Sequence, residues 1–319
     1  MLSYTLQRLG ALVPVLLVVS LVIFSLALLA PGDPARIILG PEALEVDVVK
    51  LQDIMGLNDP FWIRYLRWIS GVVQGDLGVS YFSNRSVAAA IQSHFIPTAQ
   101  LAVLAISYAL AISIPLGTLA ARWRDSFFDH AIAGFTLIGL TFPSFVLSLI
   151  LVIALSVWLH WLPVAGYRDP FGSPLVGLRY LILPTLSLGT IYASVLTRTV
   201  RASVLDVLKS EYLDAARSRG VKENRLLFAH ALRNAGLPII TMIGLSFASL
   251  LAGAVVTESI FNIPGIGSLL VTAIERRDYP MLQGVVLFLT CIYLGLNVIV
   301  DLVYGLIDPR VRLSGKGVQ

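Results

Sequence analysis

The chain has 319 residues, 57% of them hydrophobic and only 13% charged, with a mean hydropathy of +0.84. Soluble domains carry about a quarter charged residues, so the bulk of this protein is expected to lie in lipid. The net charge is +4, and its basic residues sit beside apolar runs without forming a separate domain, which excludes a nucleic-acid footprint. The single Cys291 rules out an intrachain disulfide and a cysteine metal site.

A helix needs about 20 apolar residues to cross the hydrocarbon core. The first such run covers 9–30. Arg8 ahead of it resembles the start of a signal peptide, but the run is long enough to span and no small-x-small site closes it before Pro31. Residues 1–30 therefore read as a retained first transmembrane helix. The segment that follows, 31–95, is too long for a bare loop. Within 61–74, Phe61, Trp62, Tyr65, Leu66, Trp68, Ile69, Val72 and Val73 share one arc at helical spacing, opposite Arg64, Arg67, Ser70 and Gln74, with Ile63 as the exception. Such a helix either lies in the membrane interface or packs its apolar face on protein, and the periodicity leaves both open.

Further runs of spanning length cover 98–121, 131–159, 181–200, 237–257 and 281–304. The run 131–159 exceeds the requirement and is expected to tilt or extend beyond the core. Pro14, Pro115, Pro143 and Pro184 fall inside runs, as membrane helices tolerate. The fold class is thus an all-α integral membrane protein with six transmembrane helices, short helices after the first span, and both termini on one side.

Basic residues of the short loops set the orientation. Arg122 and Arg124 follow the second span, a group from Arg198 to Arg233 follows the fourth, and Arg310, Arg312 and Lys316 close the chain. All lie on one side, which is cytoplasmic. In 31–95, Arg36, Lys50, Arg64, Arg67 and Arg85 are outnumbered by Asp33, Glu42, Glu45, Asp47, Asp53, Asp59 and Asp76, so this segment is extracytoplasmic.

The polar segment 201–236 reads as two short helices joined by a glycine turn. Over 204–217, Val204, Leu205, Val207, Leu208, Tyr212, Ala215 and Ala216 share one arc, and Leu213 breaks the pattern. Gly220 interrupts the run as a helix-terminating glycine would. A second helical pattern over 223–234 feeds into the fifth span. Ala215 and Ala216 give a low profile where another surface can approach.

Glu211, Tyr212, Ala215, Ala216, Gly220, His230 and Pro238 together resemble the EAA loop of ABC-transporter permeases. Pro31-Gly-Asp-Pro34, Gly75-Asp-Leu-Gly78, Glu258-Ser-Ile-Phe261, Pro264-Gly-Ile-Gly267, Arg277-Asp-Tyr-Pro280 and Asp308-Pro-Arg310 extend the resemblance to the dipeptide, oligopeptide and nickel permease family, in order and almost from end to end. The N-terminal-type member of the permease pair, with a type I fold, is the nearest likeness. Asp214 departs from the plainest form of the loop, where a small or neutral residue is common.

The resemblance implies a binding-protein-dependent importer in the prokaryotic cell membrane. It implies a permease domain at 96–305 with its docking loop at 201–236, and a cytoplasmic tail at 306–319. The implied partners are a second homologous permease subunit, two cytoplasmic ATP-binding subunits that hold ATP and Mg, an extracytoplasmic solute-binding protein, and membrane lipid. Short peptides are the implied cargo, with nickel chelates, glutathione-like peptides and oligosaccharides carried by related permeases.

The chain itself carries no Gly-x-x-x-x-Gly-Lys-[Ser/Thr] loop, so ATP would be bound elsewhere. His94, His130, His160 and His230 are dispersed and form no zincin pair, and no catalytic or metal residues are assigned. Asp301, Glu258 and Arg198 stand near span edges, where snorkelling or loop contacts explain them. Nearly charge-free span centres disfavour a secondary transporter, and a polytopic membrane enzyme would need a catalytic cluster that is absent.

Overall fold

The computed structural model describes residues 2–29, 33–40 and 42–307. Pro31, Gly32 and everything from Asp308 onward, including Arg310, Arg312 and Lys316, lie outside the described residues. The chain divides into two compact units, a smaller one of 2–96 and 264–294 and a larger one built on 97–263 and the residues from 295 onward.

In the smaller unit, α1 spans Leu2–Leu29, α2 Pro34–Leu39, α3 Glu45–Ile54 and α4 Phe61–Val73. Asp33 caps α2, accepting the Ala35 N–H at 2.9 Å, and its other oxygen accepts from Gln52 of α3 at 2.6 Å. Pro34 fits the first turn because its missing N–H would have no partner there. The described half of the Pro31-Gly-Asp-Pro34 motif is thus a helix start. Helix α4 packs on α1: the Phe24 ring lies 5.5–5.6 Å from those of Phe61, Tyr65 and Trp68, and the Tyr65 and Ser20 hydroxyls meet at 2.9 Å. The single arc of the sequence reading splits here. Tyr65 is buried, while Trp62, Leu66 and Val73 stay exposed.

After α4, Gly75 and Asp76 close the helix: Gly75 has φ 86°, and the Asp76 N–H bonds back to Gly71 O. A tight hairpin follows, with Val79 bridging Ser86 and Asn84 at φ 50°. Helices α13 (Ile266–Glu275) and the start of α14 (Tyr279–Ile307) complete the unit. Arg277 occupies the same left-handed stop after α13, at φ 53°, with the Asp278 N–H returning to Ala273 O. The buried Asp278 carboxylate then accepts from the Ser80 hydroxyl at 2.5 Å and the Tyr81 N–H at 3.2 Å. Through this one side chain the Arg277-Asp-Tyr-Pro280 motif meets the hairpin just after Gly78, nearly two hundred residues away. Replacing Asp278 by Ala leaves both donors without it, a loss of about 1–3 kcal/mol. Hydrogen exchange at 80–86 should accelerate while the rest of the unit stays protected; unchanged exchange there would contradict the assignment.

The larger unit holds the end of α5 (Val87–Arg122), then α6 (Phe127–Thr141), α7 (Ser144–Leu151), which continues as π-helix through Val152–Trp158, and α8 (Pro174–Leu208). Close helix packing depends on small residues, as is usual in lipid. A Cβ on Gly117 would lie 2.7 Å from Thr197 O, and one on Gly189 2.6 Å from the Tyr108 ring. These contacts join α5 to α8, and Gly139 against Ser194 joins α6 to α8. Arg201 of α8 holds Asp129 of α6 in a fork of two hydrogen bonds, each 2.6 Å. Helix α8 is therefore the packed centre of the unit.

Helices Val87–Arg122, Pro174–Leu208 and Tyr279–Val303 are long and apolar enough to cross a membrane. The expected third span is not one tilted helix. It bends by 105° between Phe127–Thr141 and Ser144–Trp158. Phe142 is extended at φ −80°, ψ 123°, as a residue before proline prefers, and Pro143 starts the second half. Pro115 and Pro184 remain inside continuous helices.

Helix α12, Gly236–Phe261, corresponds to the fifth run. It outlasts the expected boundary at 257, so Glu258 does not snorkel. Glu258 is fully buried and accepts from the Thr98 hydroxyl of α5 at 2.6 Å. Asn262, at φ 50°, ends α12.

Candidate docking platform

Past Leu208 the chain leaves α8 through Lys209 and Ser210, the latter extended at φ −78°, ψ 139°. It re-enters helix as α9, Glu211–Ser218. The break corrects the arc drawn through 204–217, because helical phase is lost at Ser210. Leu213, which breaks the arc on paper, is 0% exposed, and Tyr212, placed on that arc, is 45% exposed. Leu213 enters a cluster with Val200 and Val204 of α8, and with Leu226, Leu227, Ala231, Ala235 and Ile239 beyond the turn. Ala216 packs at its edge.

Gly220 ends α9 in the left-handed region at φ 80°. Its N–H bonds to Arg217 O at 2.8 Å, and the Val221 N–H reaches back to Ala216 O at 3.3 Å. This pair of bonds forms a Schellman stop, and Val221 packs on the same apolar cluster. Gly220 thus terminates the helix, as its place after the amphipathic run predicts. A Cβ there would meet nothing within 4 Å, so the requirement for glycine is one of backbone only.

The returning rod runs Glu223–Asn234 as α10 (Glu223–Arg225), a π-helical stretch Leu226–Ala231, and α11 (Leu232–Asn234). A 59° bend then leads into α12. The π stretch carries both Leu226 and Leu227 into the cluster, where they are buried, and leaves His230 beside α9. His230 Nδ1 and the Tyr212 hydroxyl lie 2.7 Å apart. Arg217 donates to Glu223 at 2.8 Å and to Asp214 at 2.9 Å, which closes the turn from outside. Its guanidinium is held above its ordinary value, first by the hydrogen bond to Glu223, with desolvation opposing and the charges of Glu223 and Asp214 adding to the rise. Arg122 at the end of α5 donates to Asn224.

The structure thus brings Glu211, Tyr212, Ala215, Ala216, Gly220 and His230 onto one compact projection. Glu211, Tyr212, Ala215 and Gly220 are exposed, and Ala216 and His230 are half-buried. Pro238 is exposed in the first turn of α12, beyond the bend. Glu211 and Asp214 stand in the first turn of α9, where negative charge suits the helix dipole. What periodicity misses is the anchor, Leu213 with its four leucine and alanine partners across the turn. The signal for it is Ser210, a helix-starting residue that resets the phase.

A family described as binding-protein-dependent transport system inner membrane component matches residues 113–313, and its N-terminal companion matches residues 1–102. A probable peptide ABC transporter permease protein, y4tP of Sinorhizobium fredii, is 41% identical over 309 residues, 97% of this chain and 99% of that one. The glutathione transport system permease protein GsiC of Escherichia coli K12 is 40% identical over 313 residues, 98% of this chain and 99% of that one. Among solved structures, inward-facing MetNI methionine ABC transporter matches with a TM-score of 0.55 at 13% identity. That match covers 68% of this chain and 96% of the other, and it bears on fold alone.

Proposed function

This chain belongs to the family of binding-protein-dependent transport system inner membrane components, and on that premise we propose that it forms one half of a peptide-importing path driven by separate ATPase subunits. It is a multi-pass cell-membrane permease of the ABC importer class. Short peptides are the proposed cargo, because full-length relatives at about two-fifths identity are described as peptide and glutathione permeases. The chain does not hydrolyse ATP; it converts closure of its ATPase partners into movement of the spans. A second related permease completes the path, and a solute-binding protein delivers cargo from outside.

The observation that carries the coupling role is the anchored projection of α9. An eight-residue helix has little stability of its own. Here it is fixed by Leu213 and by the Gly220 stop, and it presents Glu211, Tyr212 and Ala215 outward. Because α9 follows α8 after two residues, a push on the platform is delivered to the helix around which the larger unit packs. In proteoliposomes holding the assembled importer, ATP and binding protein should drive uptake of a labelled dipeptide, and omission of either should stop it. Uptake by this chain without an ATPase subunit would overturn the reading.

The proposed topology has six spans, with both termini and 201–236 cytoplasmic, and with 31–95 and 258–280 outside, where they form the surface that meets the binding protein. Arg85 and Arg276 are exposed. Cysteines at these positions, in a Cys291→Ser background, should react with an impermeant thiol reagent added to intact spheroplasts. Arg85 is preferred to Asn84, whose left-handed φ of 50° a cysteine would strain. Labelling only after permeabilisation would reverse the orientation.

A further inference from the structure

A cleft of about 620 Å³ opens between the start of α6 and the last third of α8. Its walls are mixed: Ile132 and Leu137 are apolar, while Asp129, His130, Arg198 and Arg201 are polar. The lining holds two carboxylates and two guanidiniums, but their pairing is uneven. Asp129 is spent on Arg201, at 2.6 Å through two bonds, and Asp125 at the rim is paired with Arg124 at 3.1 Å. Arg198 is exposed and makes no ion pair among the described residues. Arg198 is therefore the lining guanidinium without a direct carboxylate partner, with an apolar wall beside it.

The cleft also lies at a recognisable depth. Trp123, Phe127 and Phe128, at the turn into α6, are 42%, 82% and 60% exposed. Arg122 sits 5.7 Å from the Trp123 ring. A tryptophan beside an arginine at the end of a span is what a membrane–water boundary selects, and the two phenylalanines extend its apolar face. Arg198 lies ten residues before the end of α8, about 15 Å along the helix from the platform. A lone cation at headgroup depth next to an apolar wall fits a negatively charged headgroup whose acyl chains run along that wall.

We propose that the α6–α8 cleft binds one anionic phospholipid of the cytoplasmic leaflet, with its phosphate on Arg198 and its chains against Ile132 and Leu137. Arg201, fixed by Asp129, shapes the floor. The choice of leaflet rests on the orientation proposed above; the site itself does not.

The assembled importer can be placed in nanodiscs of phosphatidylcholine with phosphatidylglycerol, then released and weighed by native mass spectrometry. Wild-type protein should retain phosphatidylglycerol, and Arg198→Gln should retain one fewer molecule per complex. Leu137→Trp fills the cleft without touching charge and should show the same loss. Both side chains are exposed, so neither change threatens the fold. Equal retention by all three proteins would overturn the proposal. So would Arg198-dependent retention of inorganic phosphate, supplied to nanodiscs of phosphatidylcholine alone, in place of lipid. Near-complete cross-linking of a cysteine at 198 to the second permease would equally overturn it, by making the cleft a subunit face. Nanodiscs offer the lipid on both faces, so loss of the site and reversal of topology are read by separate experiments.

Discussion

Gly220→Val is expected to suppress both peptide uptake and solute-stimulated ATP hydrolysis while the importer stays at normal abundance in the membrane. Gly220 has φ 80°, where an L-residue costs about 1–2 kcal/mol and a β-branched one more. No neighbouring atom lies within 4 Å of a Cβ there, so the whole penalty falls on the backbone. The chain relieves it by leaving the left-handed region. That breaks the two bonds joining 220 to Arg217 and 221 to Ala216, and re-aims α9 against the rod that follows. The spans carry no part of this strain and insert as before. Asn tolerates left-handed geometry, so Gly220→Asn should remain close to wild type, with Gly220→Ala between the two. Equal uptake by the Val and Asn variants would show that the angle set here does not matter for coupling.

Leu213→Ala should be nearly as damaging, by a different route. A buried Leu→Ala change typically costs 2–5 kcal/mol. Leu213 is 0% exposed and is the one fully buried side chain of an eight-residue helix, so the loss falls on docking of α9 itself. The Tyr212–His230 hydrogen bond is the weaker restraint. It is largely open to water, and such bonds contribute about 0.5–1.5 kcal/mol. Leu213→Ala should therefore accelerate hydrogen exchange across 213–219 and strongly reduce uptake, while Tyr212→Phe produces a small decrease in both. If Tyr212→Phe proved the more harmful, the apolar anchor would not be what holds the helix.

These two residues also mark how far the sequence can be read. Gly220 is legible because a glycine after an amphipathic run has few other uses. Asn262 and Arg277 occupy the same kind of helix stop; asparagine tolerates it, whereas nothing about an arginine announces a residue at φ 53°. Leu213 is misplaced by any arc drawn from Val204, since two non-helical residues intervene and a helix face is only as continuous as its hydrogen bonds. Pro143 breaks a span that Pro115 and Pro184 leave intact in theirs; proline removes one donor in each case, and the surrounding packing decides whether the helix survives. The polar pairs are the least legible. Thr98–Glu258, Asp129–Arg201 and Ser80–Asp278 join residues 160, 72 and 198 apart, and no local period encodes such contacts. The class of the protein, by contrast, follows from composition, the spacing of apolar runs and the motif around Glu211 and Gly220.

The central claim is that α9 docks on the ATPase, and contact across that interface tests it most directly. Ala215 is exposed on α9, and Cys291 is the chain's only cysteine. In a Cys291→Ser background, Ala215→Cys should form a specific cross-link to the ATP-binding subunit of the assembled importer, and its yield should change when ATP is bound. An intact complex in which residue 215 forms no cross-link to the ATPase, while cysteines placed elsewhere on the cytoplasmic face do, would contradict the account.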